Sequence, residues 1–218
     1  MRITKREHAC LIVEHGDPGS GDAVLVIDPG SFSTLPDLGS LGPVAAVVLT
    51  HAHADHAHPE HLAALRDANP DAVFLGPPAV AAAVAGIGIQ VVQAGQSLTV
   101  GPFELTFHGG VHARIHSSIP PVDNVGVSVN GVLYHPGDSL EPAVTGMPVL
   151  AAPVSGPWLK AGEVMDLVGA VGAAHVVPIH ESHASAVGQQ LMARLVGGAA
   201  EAAGGRYDAL AVGESLEV

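Results

Sequence analysis

Apolar residues in this chain fall into short β-branched runs punctuated by Gly, Pro, Asn and Asp. Ala- and Leu-rich stretches of helical character lie between some of these runs. Ala9 to Glu14 and Ala23 to Ile27 read as two strands of a hairpin. The turn signal His15-Gly16-Asp17-Pro18-Gly19-Ser20-Gly21-Asp22 joins them, and Asp28-Pro29-Gly30 closes the pair. A Pro-, Gly- and Ser-rich loop from Ser31 to Gly42 leads into Val44 to Leu49, an unbroken apolar run that predicts a buried strand. Pro59 and Glu60 open a helix that Asn69-Pro70-Asp71 ends. Ala72 to Leu75 predicts a strand, Pro77 to Ala85 a helix and Ile89 to Val92 another strand. Two hairpins follow, Ser97 to Val100 with Phe103 to Phe107, and Val125 to Val129 with Val132 to Tyr134. The second has Asn130-Gly131 at its two-residue turn. The remainder alternates: strand at Val149 to Ala151, helix at Ala161 to Val171, strand at Ala174 to Ile179, helix at Ser185 to Val196, and an edge strand at Ser215 to Val218. This pattern predicts one α/β domain over residues 1–218. Hairpins mixed with strand–helix units in both halves favour two sheets face to face with helices outside.

The candidate chemistry begins where the buried strand ends. Thr50-His51-Ala52-His53-Ala54-Asp55-His56 places four potential metal ligands within six residues. His51 and His53, two apart, can point the same way, and Asp55 and His56 come round a turn towards a second point. A bland His-rich loop would not account for further ligand types at other strand ends. His112 follows Gly109-Gly110-Val111, Asp138 follows Tyr134-His135-Pro136-Gly137, and His180 ends Val176-Val177-Pro178-Ile179. His108, His112 and His116 are spaced four apart, so each is a candidate for the histidine of this region. His112, just past its strand, is preferred.

Composition narrows the function. The chain has 218 residues, 48% hydrophobic and 3% aromatic, so its core is built from Ala, Val, Leu and Ile. A formal charge of −13 with eight basic residues argues against nucleic acid as a partner. One cysteine, Cys10, leaves no internal disulfide and fits a reducing compartment. No apolar stretch near the start resembles a signal peptide, and no run approaches membrane-spanning length. The expectation is a cytoplasmic enzyme acting on a small molecule, with no membrane partner. The Ala/Val-rich helices offer a face for a homo-oligomer.

The HxHxDH spacing after a strand, with Gly137-Asp138 and Pro178-Ile179-His180, resembles the metallo-β-lactamase superfamily, most closely its compact lactonase-like metal-dependent hydrolases. That resemblance spans His8 to His180 and implies an αββα sandwich with metal at the sheet edge. It also implies the roles. His51, His53 and His112 hold one cation, Asp55, His56 and His180 a second, and Asp138 bridges. Imidazole and carboxylate ligands suit two divalent ions, zinc first, with manganese or iron as alternatives. Two cations sharing a water would give a bridging hydroxide to attack an ester, lactone, thioester or phosphoester. Asp55 is the catalytic candidate, orienting the nucleophile or taking its proton.

Small members resembling ascorbate-6-phosphate lactonases often carry a His-Ser or His-Ala pair near the site rim. His8-Ala9 matches this, with Glu7 in place of Gly. His116 and Trp158 are the substrate-side candidates, and Asn124 is a polar contact near the mouth. His183 is a candidate for support around the ligands, and His58, His61, His135 and His175 read as structural. The competing reading is a mononuclear iron oxidoreductase of the persulfide dioxygenase type. The chain lacks the Pro-Gly-His-Thr-Pro-Gly motif of that branch.

Overall fold

The computed structural model describes residues 1–16 and 23–218, so most of the turn signal after His15 lies outside the described residues. Two seven-stranded sheets form the frame. The first runs β14-β1-β2-β3-β4-β5-β6, with β1 Arg2–Lys5, β2 Leu11–His15, β3 Ala23–Ile27, β4 Val44–Val48, β5 Val73–Gly76, β6 Ile89–Val91 and β14 Ser215–Glu217. The second runs β13-β12-β11-β10-β9-β8-β7, with β7 Ser97–Val100, β8 Phe103–His108, β9 Gly126–Val129, β10 Leu133–His135, β11 Val149–Pro153, β12 His175–Ile179 and β13 Arg206–Tyr207. Each sheet is antiparallel on one side and parallel on the other. The hairpin-rich segments supply the first kind of pairing and the strand–helix segments the second.

Side-chain alternation sorts the layers. In β3, Leu25 and Ile27 face the interior between the sheets, where they join Phe103, Phe107, Val127 and Val177. Val24 and Val26 face outwards, under helix α1 (Pro59–Ala68) and helix α2 (Pro78–Ala83), whose Leu62, Leu65 and Val80 cover them. On the second sheet, Leu150, Ala152 and Val176 point outwards. Val164, Leu167 and Val171 of helix α3 (Ala161–Val171) and Val196 and Ala200 of helix α4 (Ala186–Ala202) cover that face. Central strands covered on both faces must be apolar throughout, which is why Val44 to Leu49 shows no polar alternation. The layers are therefore helix, sheet, sheet and helix, the αββα arrangement.

Three elements differ from the sequence expectation. β1 escapes notice because Arg2-Ile3-Thr4-Lys5 is mostly polar, yet Ile3 and Lys5 both point inwards and are buried. β13 is only two residues long. Helix α4 continues through Gly197 and Gly198 to Ala202, because burial of Val196 and Ala200 outweighs the low helix propensity of glycine. At the Asn130-Gly131 turn both residues have positive φ, 51° and 63°, as a type I′ hairpin requires.

Candidate metal centre

The candidate ligands all leave strand ends at one edge of the sandwich. The loop after β4 supplies His51 to His56 and folds back on itself, with the N–H groups of His56 and Ala57 both donating to the His53 carbonyl. Gly30 lets this loop sit close. A Cβ there would lie 1.7 Å from the Asp55 carbonyl oxygen, so no other residue fits without moving the loop. Asp138 leaves β10 through Gly137, whose φ of 61° and close approach to Asn124 and Thr50 also exclude a side chain. His112 comes from the β8–β9 connection and His180 from the end of β12.

The side chains converge in two groups. His51, His53, His112 and Asp138 form one, and His8, Asp55, His56 and His180 the other, with the ligand atoms of each group within 4.8 Å of one another. The Asp138 carboxylate lies between them. Its Oδ2 is 3.2 Å from His112 Nε2 and 3.1 Å from His180 Nε2, and its Oδ1 is 3.2 Å from His56 Nε2. His108 stays outside, in β8, with its ring nitrogen 2.9 Å from Ser128 Oγ. His116 is exposed and pairs with Ser118, and it does not line the cavity beside the ligands. Of the three histidines spaced four apart, the fold brings only His112 to the cluster.

The hydrogen bonds behind the ligands dictate how the rings present themselves. A carbonyl can only accept, so His112 Nδ1 donates to the Ala113 carbonyl at 2.5 Å and His180 Nδ1 donates to the Ser155 carbonyl at 2.6 Å. His56 Nδ1 donates to Asp28 Oδ2 at 2.7 Å. Thr50 Oγ1 donates to the same Asp28 oxygen at 2.6 Å and so accepts from His51 Nδ1 at 3.0 Å. Each of these four rings therefore has its Nδ1 committed as a donor and turns Nε2 towards the centre, where a lone pair is free to bind a cation whenever no proton sits on it. His53 meets His51 through Nδ1, 3.0 Å from His51 Nε2.

The centre fits divalent cations. The buried Nε2 atoms of His56, His112 and His180 and the Asp138 Oδ1 have no hydrogen-bond partner among the described residues, although they point at one another. Converging lone pairs without donors are what a cation resolves. The donors are nitrogen and oxygen only, since Cys10 is buried outside both groups.

Electrostatics agree. Burial, reinforced by His56, holds the His51 imidazole well below its ordinary pKa, and burial with His112 lowers that of His53. Burial would raise Asp138, but the facing His56 charge and the His112 and His180 rings outweigh it and hold the carboxyl well below the usual range. Burial would lower His56, but Asp138 and Asp28 outweigh it and raise its pKa well above the usual value. A centre that draws a proton onto His56 offers negative potential to a cation.

Two residues gain roles that the sequence reading did not assign. Asp28 is fully buried and holds the Thr50 N–H, the Thr50 hydroxyl and His56 together. Its signal was an acid placed directly after a buried strand. Lys5 lies buried behind His8. His8 itself is not at a rim. It is fully buried, and its Nε2 donates to Asp55 Oδ2 at 3.0 Å. Asn124, expected near the mouth, is also fully buried. It accepts from the Asp138 N–H and donates to the Pro136 carbonyl, so it supports the Asp138 turn from below. His135 turns away to the Ala9 carbonyl, and His175 pairs with Asp208. His58 and His61 meet edge-to-face, and His183 lies edge-on to His8.

A profile of the beta-lactamase superfamily domain matches residues 2–180. The chain belongs to the beta-lactamase superfamily. It is 34% identical over 187 residues, 84% of each chain, to Protein Rv0786c of Mycobacterium tuberculosis (strain ATCC 25618 / H37Rv). In fold it is similar to Igni18, a metallo hydrolase from Ignicoccus hospitalis KIN4/I, with a TM-score of 0.73 and 20% identity over 99% of this chain and 97% of the other. It is equally similar to the metallo-beta-lactamase fold protein YhfI from Bacillus subtilis, with a TM-score of 0.73 and 16% identity over 99% and 98% of the two chains.

This superfamily member carries a cavity of about 700 Å³ beside its ligands, lined by Val111, His112, Arg114, Ile115, Leu140 and Trp158 among others. Trp158 stands edge-on to His112 at 5.5 Å and to His180 at 5.4 Å, so its indole packs against both histidines and lines the cavity where it meets them. No helix among the described residues is long and apolar enough to cross a membrane.

Proposed function

We propose that this chain is a dinuclear metal-dependent hydrolase acting on a small ester, lactone, thioester or phosphoester. One observation carries the reading: two nitrogen–oxygen ligand groups share the Asp138 carboxylate beside a cavity of about 700 Å³. His51, His53 and His112 would hold one cation, Asp55, His56 and His180 the other, and Asp138 would touch both, with zinc favoured by the donor set. Cations bound there supply Lewis acidity, which acidifies water and polarises an acceptor oxygen.

The remaining steps belong to the protein. The cavity seats the substrate with its scissile group towards Asp138, and Trp158 and Ile115 exclude water from its apolar side. The four rings with Nδ1 tied to oxygen cannot rotate, so the ligand geometry exists before anything binds. Asp55 is held by His8 at a fixed angle and faces the space between the groups, where it orients the attacking water.

Zinc-loaded protein is expected to hydrolyse at least one of a nitrophenyl ester, a lactone, a thioester and a phosphodiester, and Asp138→Ala to abolish that turnover. Full turnover by Asp138→Ala or Asp55→Ala with metal still bound overturns the mechanism. Oxygen uptake on a persulfide by a one-iron protein, with no hydrolysis, replaces it with the oxidoreductase reading.

A further inference from the structure

Lys5 is the one lysine of the described residues whose ammonium lies inside the fold, with a relative exposure of 1%. Its Nζ donates to three acceptors: the Arg6 carbonyl at 2.5 Å, the His8 carbonyl at 3.1 Å and Glu181 Oε1 at 2.7 Å. A buried charge needs such complete pairing, yet an apolar residue would fill the same space without it. What the three acceptors have in common is their place. Arg6 and His8 lie in the turn between β1 and β2 of the first sheet, and Glu181 begins the short 3-10 turn after β12 of the second.

Both turns are strained. His8 and His180 have φ of 59° and 63°, a left-handed conformation that non-glycine residues rarely adopt. They are also tied to each other, because the His180 N–H donates to the His8 carbonyl at 3.1 Å. That carbonyl thus accepts from His180 and from Lys5 together. Lys5 in turn grips Glu181, the residue after His180. One ammonium holds both left-handed turns, and both turns carry side chains of the same ligand group, His8 on Asp55 and His180 itself. None of the contacts of Lys5 reaches His51, His53 or His112.

We propose that Lys5 is a positioning residue for the second cation site. Its ion pair with Glu181, made across the junction of the two sheets, sets where the His8–Asp55 pair and the His180 ring stand. The affinity of that site therefore depends on Lys5, while the affinity of the site at His51, His53 and His112 does not. This inference rests on the two-cation reading above.

The test uses the full chain stripped of metal and titrated with zinc alone. Anomalous scattering at the zinc edge under limiting zinc reads the two sites separately. Wild type is expected to take two equivalents. Lys5→Met is expected to lower second-site affinity about 10–100-fold, the range for lost support behind a ligand, and to leave the first site within about twofold. Lys5→Arg, which keeps a charged donor, is expected to recover part of the loss. Should Lys5→Met fail to fold, Glu181→Gln carries the same expectation with the lysine in place. Two equivalents in wild type with unchanged second-site affinity in these variants, or equal losses at both sites, overturn the inference and spare the dinuclear reading. Fewer than two equivalents in wild type overturn both.

Discussion

The two ligand groups share a carboxylate but are built differently. His51 and His53 of the first group sit two residues apart on one loop, directly after a buried strand, and neither has positive φ. The second group gathers its members from the β1–β2 turn, the far side of the β4 loop and the end of β12, with His8 and His180 both in left-handed backbone. Both groups take two members from the β4 loop and two from distant segments, but none of the four residues of the first group has positive φ. The second group needs the packing of the two sheets, together with polar ties such as the Lys5–Glu181 pair, to hold its strained turns in place.

The largest test of that contrast is removal of metal. Stripping cations from a loaded protein is expected to lower stability by about 2.7 kcal/mol for each cation held at about 100 times its dissociation constant, or roughly 5–10 °C in Tm per cation for a chain of this size. If the contrast holds, hydrogen exchange accelerates at the His8 and His180 turns and much less at His51 to His56. Uniform acceleration breaks it.

Asp28→Asn is the next effect in size. Asp28 ties both groups, through Thr50 and His51 on one side and His56 on the other. The variant is expected to weaken zinc at both sites by about 10–100-fold. A loss confined to one site would show that the two groups do not share this support.

A smaller effect concerns protons. Burial, reinforced by the neighbouring His180 and His56 rings, outweighs the Asp55 contact and brings the His8 pKa down to about 4, from an ordinary 6.5. The unfolded chain therefore binds a proton that the native state refuses between these values. Stability from His8 is full above pH 6.5 and is lost as pH falls towards 4. Metal-free His8→Gln is expected to show a shallower decline of Tm over that window than metal-free wild type. Parallel declines would remove His8 from the account.

Much of this was legible from the order of residues. The strand at Val44 to Leu49, the ligands after it, the hairpin at Asn130-Gly131 and the helix from Ala161 to Val171 all rest on neighbours a few positions apart. Asp138 and His180 were legible too, because each follows an apolar strand. Lys5 and Asp28 were not, since a lone charge beside a strand reads as solvated until something is seen to enclose it. His108, His112 and His116 share one spacing, and only the place of His112 just past its strand favoured it.

Sequence alone therefore determined the layered α/β architecture and the ligand types it brings to the strand ends, because periodicity and motif spacing are short-range properties of the chain. Tertiary structure decided that His112 joins the cluster while His108 bonds Ser128. It also placed His8 behind Asp55 and buried Lys5 against Glu181. Those outcomes depend on contacts between residues 20, 47 and 176 positions apart, and only the packed fold brings such groups within hydrogen-bonding reach.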